Sequence, residues 1–156
     1  MPILFFKASD EYGYFSNFAK YSITVNNIIF NCNEQFIMYT KAKMFNDEET
    51  ATLIMQTNNP REIKRLGRLV KNFNQKEWEN NVNTVADVCN LYKFSSHPQL
   101  RTKLLETGNE VIAEASPYDN IWGIGVDSIT GKDITKWKGK NILGNSLMRV
   151  REIIRK

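Results

Sequence analysis

The period of hydrophobic and polar positions changes several times along the chain, and each change marks an element. Ile3 to Phe6 is a short apolar run after Pro2, the length of a buried strand. Residues 8–20 are polar and aromatic around Gly13 and predict an ordered loop. Two β-favouring runs, Ser22–Val25 and Ile28–Phe30, flank Asn26 and Asn27, residues that tolerate positive φ, so this stretch predicts a hairpin. From Asn33 the period becomes helical. Residues 33–45 contain no Gly or Pro, and Asn33 is placed to cap the first turn. Asp47–Thr57 predicts a second helix, and Pro60 opens a third. Gln75–Phe94 predicts a long helix, with Trp78, Val82, Val85, Val88 or Cys89, and Tyr92 as its buried stripe. Pro98 stands in the first turn of a further helix that Gly108 stops. Val111–Ala115 reads as a strand. The last helix follows Asn141, with Leu143, Leu147, Val150 and Ile154 on its core face.

The fold class expected from this order is α+β: a single helix-rich domain over residues 1–156, with about six helices and a small antiparallel sheet. Two irregular segments remain, near residues 10–20 and 116–140. A loop as long as the second, inside a compact domain, is more often functional than idle.

Composition narrows the function classes. A length of 156 residues fits one domain by the prior of roughly 100–200 residues. Apolar residues at 42% and charged residues at 24% exclude wholesale disorder. The net charge of +4 favours a phosphate-bearing small ligand over a dedicated duplex binder. Cys32 and Cys89 are the only cysteines and no CxxC occurs, which argues against a zinc module or a disulfide framework. The N-terminus has no basic region ahead of a long apolar run. A soluble cytoplasmic protein with no membrane partner is the expectation.

The chemistry is bounded first by what is missing. His97 is the only histidine and stands directly before Pro98, as a cap or surface residue would, so Ser–His–Asp and Cys–His catalysis are disfavoured. Gly123-Ile-Gly125 lacks the third glycine and the setting of a dinucleotide fingerprint. Carboxylates, lysines and aromatic rings remain. Glu34 opens an otherwise apolar helix and shares a face with Met38, Lys41 and Phe45. That spacing suits a half-buried polar site, or an acid stabilised by the helix dipole. Asp119 and Trp122 lie in a loop held by Pro117, Gly123 and Gly125. An acid beside a large ring suits a nucleotide-like ligand, and suits equally an Asx-turn over a core tryptophan. Arg61, Lys64, Arg65 and Arg68 form a basic helix face, which reads as a solvated face as charge runs usually do, with Arg68, bordering an apolar turn, as the exception and ligand candidate.

Taken in order, these segments resemble one family. Tyr14-Phe-Ser-Asn-Phe18, Asn33-Glu-Gln-Phe36 with Lys41-Ala42, Gly67-Arg68, Trp78, Lys93-Phe94, Leu104–Gly108, Glu114–Gly125, Trp137–Gly144 and Leu147–Arg151 are similar to the motifs of the NADAR, or YbiA-like, family. The resemblance spans roughly residues 4–155. It implies an N-glycosidase that cuts the C–N bond between a phosphorylated ribose and a base. The partner it implies is a phosphorylated ribosyl small molecule, namely a ribosylaminopyrimidinone phosphate of riboflavin synthesis, or ADP-ribosylated guanine in nucleic acid. It implies Glu34 and Asp119 as catalytic carboxylates and Ser16, Asn17, Trp78 and Trp122 as ligand contacts. The residue after the motif glutamate is Gln35, where many members carry His. Lys41 stays open between a surface lysine, a phosphate ligand and an amine that captures the opened sugar. Such chemistry needs no metal and no cofactor. The alternatives are a non-catalytic ADP-ribose-binding module and a nucleic-acid adaptor.

Overall fold

The computed structural model describes all residues, Met1–Lys156. In chain order it contains β1 (Ile3–Phe5), β2 (Ile23–Val25), β3 (Ile28–Phe30), α1 (Asn33–Met44), α2 (Glu48–Met55), α3 (Pro60–Gly67), α4 (Gln75–Ser96), α5 (Pro98–Glu106), β4 (Ile112–Glu114) and α6 (Ile142–Arg155). Short 3₁₀ turns occupy Gly13–Phe15, Thr130–Lys132 and Ile134–Lys136. The six helices and the antiparallel hairpin are the α+β architecture expected. No helix is long and apolar enough to cross a membrane. The chain divides into two compact units, Lys20–Lys93 and a discontinuous one of Met1–Ala19 with Phe94–Lys156.

In the unit of residues 20–93, Asn26 and Asn27 take φ of 52° and 66° and close β2 on β3, pairing Ile23 with Phe30 and Val25 with Ile28. Positive φ at both positions is what a two-residue primed turn demands. Phe30 is buried and packs against the α1 rings of Phe36 and Tyr39, with centroids 5.2 and 5.4 Å away. α1 also packs on α2 and α3. At the α3 contact a Cβ on Gly67 would lie 1.9 Å from Met38 Sδ, so only glycine lets the end of α3 close on α1 with Met38 in place.

The structure differs from two local expectations. Asn33 is not the cap of α1. Cys32 holds the N-cap position, and Asn33 donates its side-chain amide to Asn90 Oδ1 at 2.8 Å, a buried bond that outcompetes capping. On α4, Tyr92 lies 39% exposed, while Val82, Val85, Ala86, Cys89, Asn90 and Lys93 are buried. The seam follows positions 82, 86, 89 and 93, and at about 100° per residue Tyr92 falls roughly a quarter turn off it.

In the discontinuous unit, β1 and β4 pair in parallel, Ile3 with Ile112 and Phe5 with Glu114. This pair lies outside the small antiparallel sheet that was expected. Ala113, Ala115, Ile124 and Val126 form an apolar cluster that Leu4 and Trp137 cover. Phe15 is wholly buried between Phe5 and Phe94, both at 5.8 Å, which orders the aromatic segment before residue 20. α6 packs on β4 and α5, burying Leu143, Leu147, Val150 and Ile154 as its periodicity predicts.

Candidate active site

α1 carries the first group of candidate residues. Glu34 sits in its first turn and is 8% exposed. Seven residues on, and so about 10 Å further along the helix, the half-buried Lys41 donates from Nζ to Gly67 O at 2.8 Å and stands 4.6 Å from the centroid of the Phe73 ring. Gly67 is the last residue of α3, so its carbonyl is one of those a helix leaves without an internal partner. Burial lowers the proton affinity of Lys41, the field of Glu34 partly restores it, and the charge of Arg68 lowers it further. Glu34 and Arg68 thus both act electrostatically on Lys41. Arg68 itself is exposed at the C-cap of α3. Trp78 is half-buried near the start of α4.

Around Glu34 the neighbours are fixed by polar bonds. Gln35, 2% exposed, accepts from Asn31 N at 2.8 Å and donates to Ile54 O at 3.0 Å and Thr57 O at 3.2 Å. An amide supplies both an acceptor and two donors on one planar end, so Gln35 ties the entry of α1 to the end of α2. Lys93, wholly buried on α4, lies outside the set of site residues that the sequence points to. Burial pushes its ammonium down to about 7, against the pull of Cys89 and Cys32. Burial in turn raises both thiols, so neither cysteine is a reactive thiolate at neutral pH. The signal for Lys93 in the sequence is its place at i+4 from Cys89 on the α4 seam.

The other candidate residues belong to the discontinuous unit. Ser16 and Asn17 are buried, and Ser16 Oγ accepts from Phe18 N at 3.1 Å. Asp119 Oδ1 accepts from Ile121 N and Trp122 N, both at 2.9 Å, an Asx-turn that fixes the carboxyl group. The loop then serves α6. The carbonyls of Ile121, Trp122 and Gly123 accept from the amides of Ile142, Leu143 and Asn141 at 3.1 Å each, satisfying donors that a helix start leaves unpaired. Asn141, at φ 53°, donates from Nδ2 to Ile112 O at 3.0 Å, and its Oδ1 accepts from Glu114 N at 3.3 Å. Trp122 itself is half-buried. A separate open groove of about 520 Å³ in this unit is lined by Phe6, Asp10, Tyr12 and Tyr118 among others, and none of the candidate residues lines it. No group of three or more His, Cys, Asp or Glu side chains is placed to hold a metal ion.

The model of the NADAR domain matches residues 4–155. The chain is 45% identical over 121 residues to N-glycosidase R617 of Acanthamoeba polyphaga mimivirus, covering 76% of this chain and 71% of the relative. It is 32% identical over 155 residues to N-glycosidase Npun_R5314 of Nostoc punctiforme, covering 99% and 94%. It is 34% identical over 150 residues to N-glycosidase YbiA of Escherichia coli, covering 96% and 86%. The NMR structure of E. coli YbiA superposes with a TM-score of 0.82 at 32% identity, over 99% of this chain and 85% of that one. The chain therefore belongs to the NADAR family, and with it to the hydrolases that act on N-glycosyl compounds.

Proposed function

We propose that the chain hydrolyses the C–N bond between a phosphorylated ribose and its base, with ADP-ribose on guanine or a ribosylaminopyrimidinone phosphate as substrate. The observation that carries this reading is the burial of the Glu34 carboxyl two helical turns from Lys41, whose amine lies in its field. Cleavage of an N-glycosidic bond leaves positive charge on the sugar and negative charge on the departing nitrogen. Glu34 takes a proton from water as its oxygen adds to the anomeric carbon. The Lys41 ammonium, made more acidic by burial and by Arg68, gives a proton to the departing nitrogen; the water oxygen stays on the phosphorylated ribose, the base leaves protonated, and the proton held by Glu34 returns through solvent to Lys41. Asp119, its carboxyl oriented by its own turn, is the second carboxylate of this reading, for a ribose hydroxyl or the proton on the base. Ser16, Asn17, Arg68, Trp78 and Trp122 bind the substrate. These roles use carboxylates, an amine, a guanidinium, a hydroxyl, an amide and rings, and none draws on a metal or a cofactor.

The test is incubation with ADP-ribosylated guanine in DNA and, separately, with the ribosylaminopyrimidinone phosphate, following products by mass. Turnover of one of them is expected, and it should survive a chelator. Glu34→Gln should lower the rate by at least about 100-fold, the low end for a lost acid–base group. A protein that binds ADP-ribose and releases no base from either substrate would be a reader, and would overturn the hydrolase reading.

A further inference from the structure

Phe73 is a large apolar ring that the fold holds in place and leaves 42% exposed. It lies in the turn segment 68–74 between α3 and α4, and that segment is anchored residue by residue. Asp47 Oδ2 accepts from Lys71 N at 2.8 Å while the same carboxyl caps α2 through Thr50 N and Thr50 Oγ1. Val70 is buried beside this anchor. Asn72 takes φ 61°, a left-handed turn that asparagine tolerates better than most side chains. The chain thereby delivers Phe73 to α1, where its ring meets Phe45 at 5.4 Å and 71°. Lys41 Nζ stands 4.6 Å from the ring centroid. A cation within about 6 Å of a ring centroid is held by the quadrupole of the ring. Ring and cation brace one another, and the exposed part of the ring remains a flat apolar surface beside the helix that carries Glu34.

We propose that Phe73 determines specificity for the base: its exposed ring stacks on the aromatic base of the substrate, while Arg68, at the start of the same segment, meets the phosphate. This rests on the glycosidase reading above and names the substrate class as a ribosyl phosphate that bears an aromatic base. Asp47 is a positioning residue, acting through the segment and not on the substrate.

The experiment compares the binding of guanosine 5′-monophosphate and ribose 5-phosphate by calorimetry, because the two ligands share the ribose and its phosphate and differ at the anomeric carbon, base against hydroxyl. Wild type should prefer the mononucleotide. Phe73→Leu keeps an apolar side chain against Phe45 without the flat ring, and should lose about 5- to 150-fold of that preference, the worth of one base–aromatic stack. Ribose 5-phosphate affinity should hold, and Phe73→Tyr should restore the preference. Wild type that binds both ligands equally, or Phe73→Leu that keeps the wild-type ratio, overturns the assignment. Turnover is read separately. A protein that turns over neither N-ribosyl substrate, yet loses its base preference in Phe73→Leu, refutes the hydrolase reading and retains the role of Phe73.

Discussion

Asn141 offers the sharpest test of how the loop after β4 is held. The residue is 3% exposed and left-handed, and its side chain bonds the carbonyl of Ile112 and the amide of Glu114. Those two groups lie on β4, whose other edge is taken by β1. One side chain therefore stands where a third strand would. Asn141→Gly keeps the backbone conformation at no steric cost and removes both side-chain bonds. The Ile112 carbonyl is buried, so its loss of a donor costs about 1–3 kcal/mol. Asn141→Ala loses the same bonds and adds the left-handed penalty of a Cβ, about 1–2 kcal/mol before the smaller entropic cost of glycine is set against it. Asn141→Asp keeps an acceptor for Glu114 N but turns a carboxylate oxygen on the Ile112 carbonyl. Urea unfolding at constant m-value should rank wild type above Gly and Gly above Ala, with a melting temperature lower by roughly 2–4 °C per kcal/mol. If Asn141→Ala equals or exceeds Asn141→Gly, the left-handed argument fails. If Asn141→Gly lies within about 0.5 kcal/mol of wild type, the side-chain bonds contribute nothing.

Three further outcomes follow from the geometry. Lys93 holds its proton less well folded than unfolded, so from about pH 7 upward the unfolded chain binds more protons and stability rises with pH, by up to about 1.4 kcal/mol per unit. Lys93→Met should abolish that rise between pH 7 and 8.5, below the range in which the raised thiols of Cys32 and Cys89 bring the opposite slope, and an unchanged slope in urea titrations would sink the argument. A Cβ at Gly144 would lie 2.1 Å from the backbone oxygen of Ile112, so Gly144→Ala should destabilise the fold, and a wild-type melting temperature would contradict it. Trp122 serves α6 through its backbone carbonyl, so Trp122→Ala should stay folded while substrate binding weakens by about 1–3 kcal/mol; early melting with normal ligand affinity in the folded fraction would show a packing role instead.

What could be read from the sequence was local. Asn26-Asn27 between β-branched runs leaves few conformations other than a hairpin, and Leu143, Leu147, Val150 and Ile154 repeat at helical spacing because α6 buries one face. The Asx-turn at Asp119 involves residues two and three positions on, and so was visible as one of two readings. Contacts between distant positions were not visible. The bond from Lys41 to Gly67 spans 26 residues, and that from Asn33 to Asn90 spans 57, so Lys41 read as ambiguous and Asn33 as a cap. Gln35 looked like a variation beside the motif glutamate; the bonds that occupy its amide go to segments 4 to 22 residues away. Phe73 has no periodic neighbours, and only the Asp47 anchor and the turn at Asn72 bring it to α1.

The pairing of β1 with β4 has a kinetic meaning. Phe5 lies opposite Glu114, so β1 leaves a ribosome and then waits for a partner 109 residues later. At about 5–20 residues per second that wait lasts roughly 5–20 s. Joining the ends of so long a segment also costs an entropy that grows with the logarithm of its length, about 4 kcal/mol before the constant part. The segment Lys20–Lys93 is contiguous and has no such delay. Synthesis therefore completes the unit that carries Glu34 and Lys41 before the one that carries Asp119 has its strands. The amide of Ala115, which bonds Phe5 O at 2.7 Å, is a late reporter of the fold, and the apolar run Ile3–Phe6 stays open to other nascent chains until that bond forms.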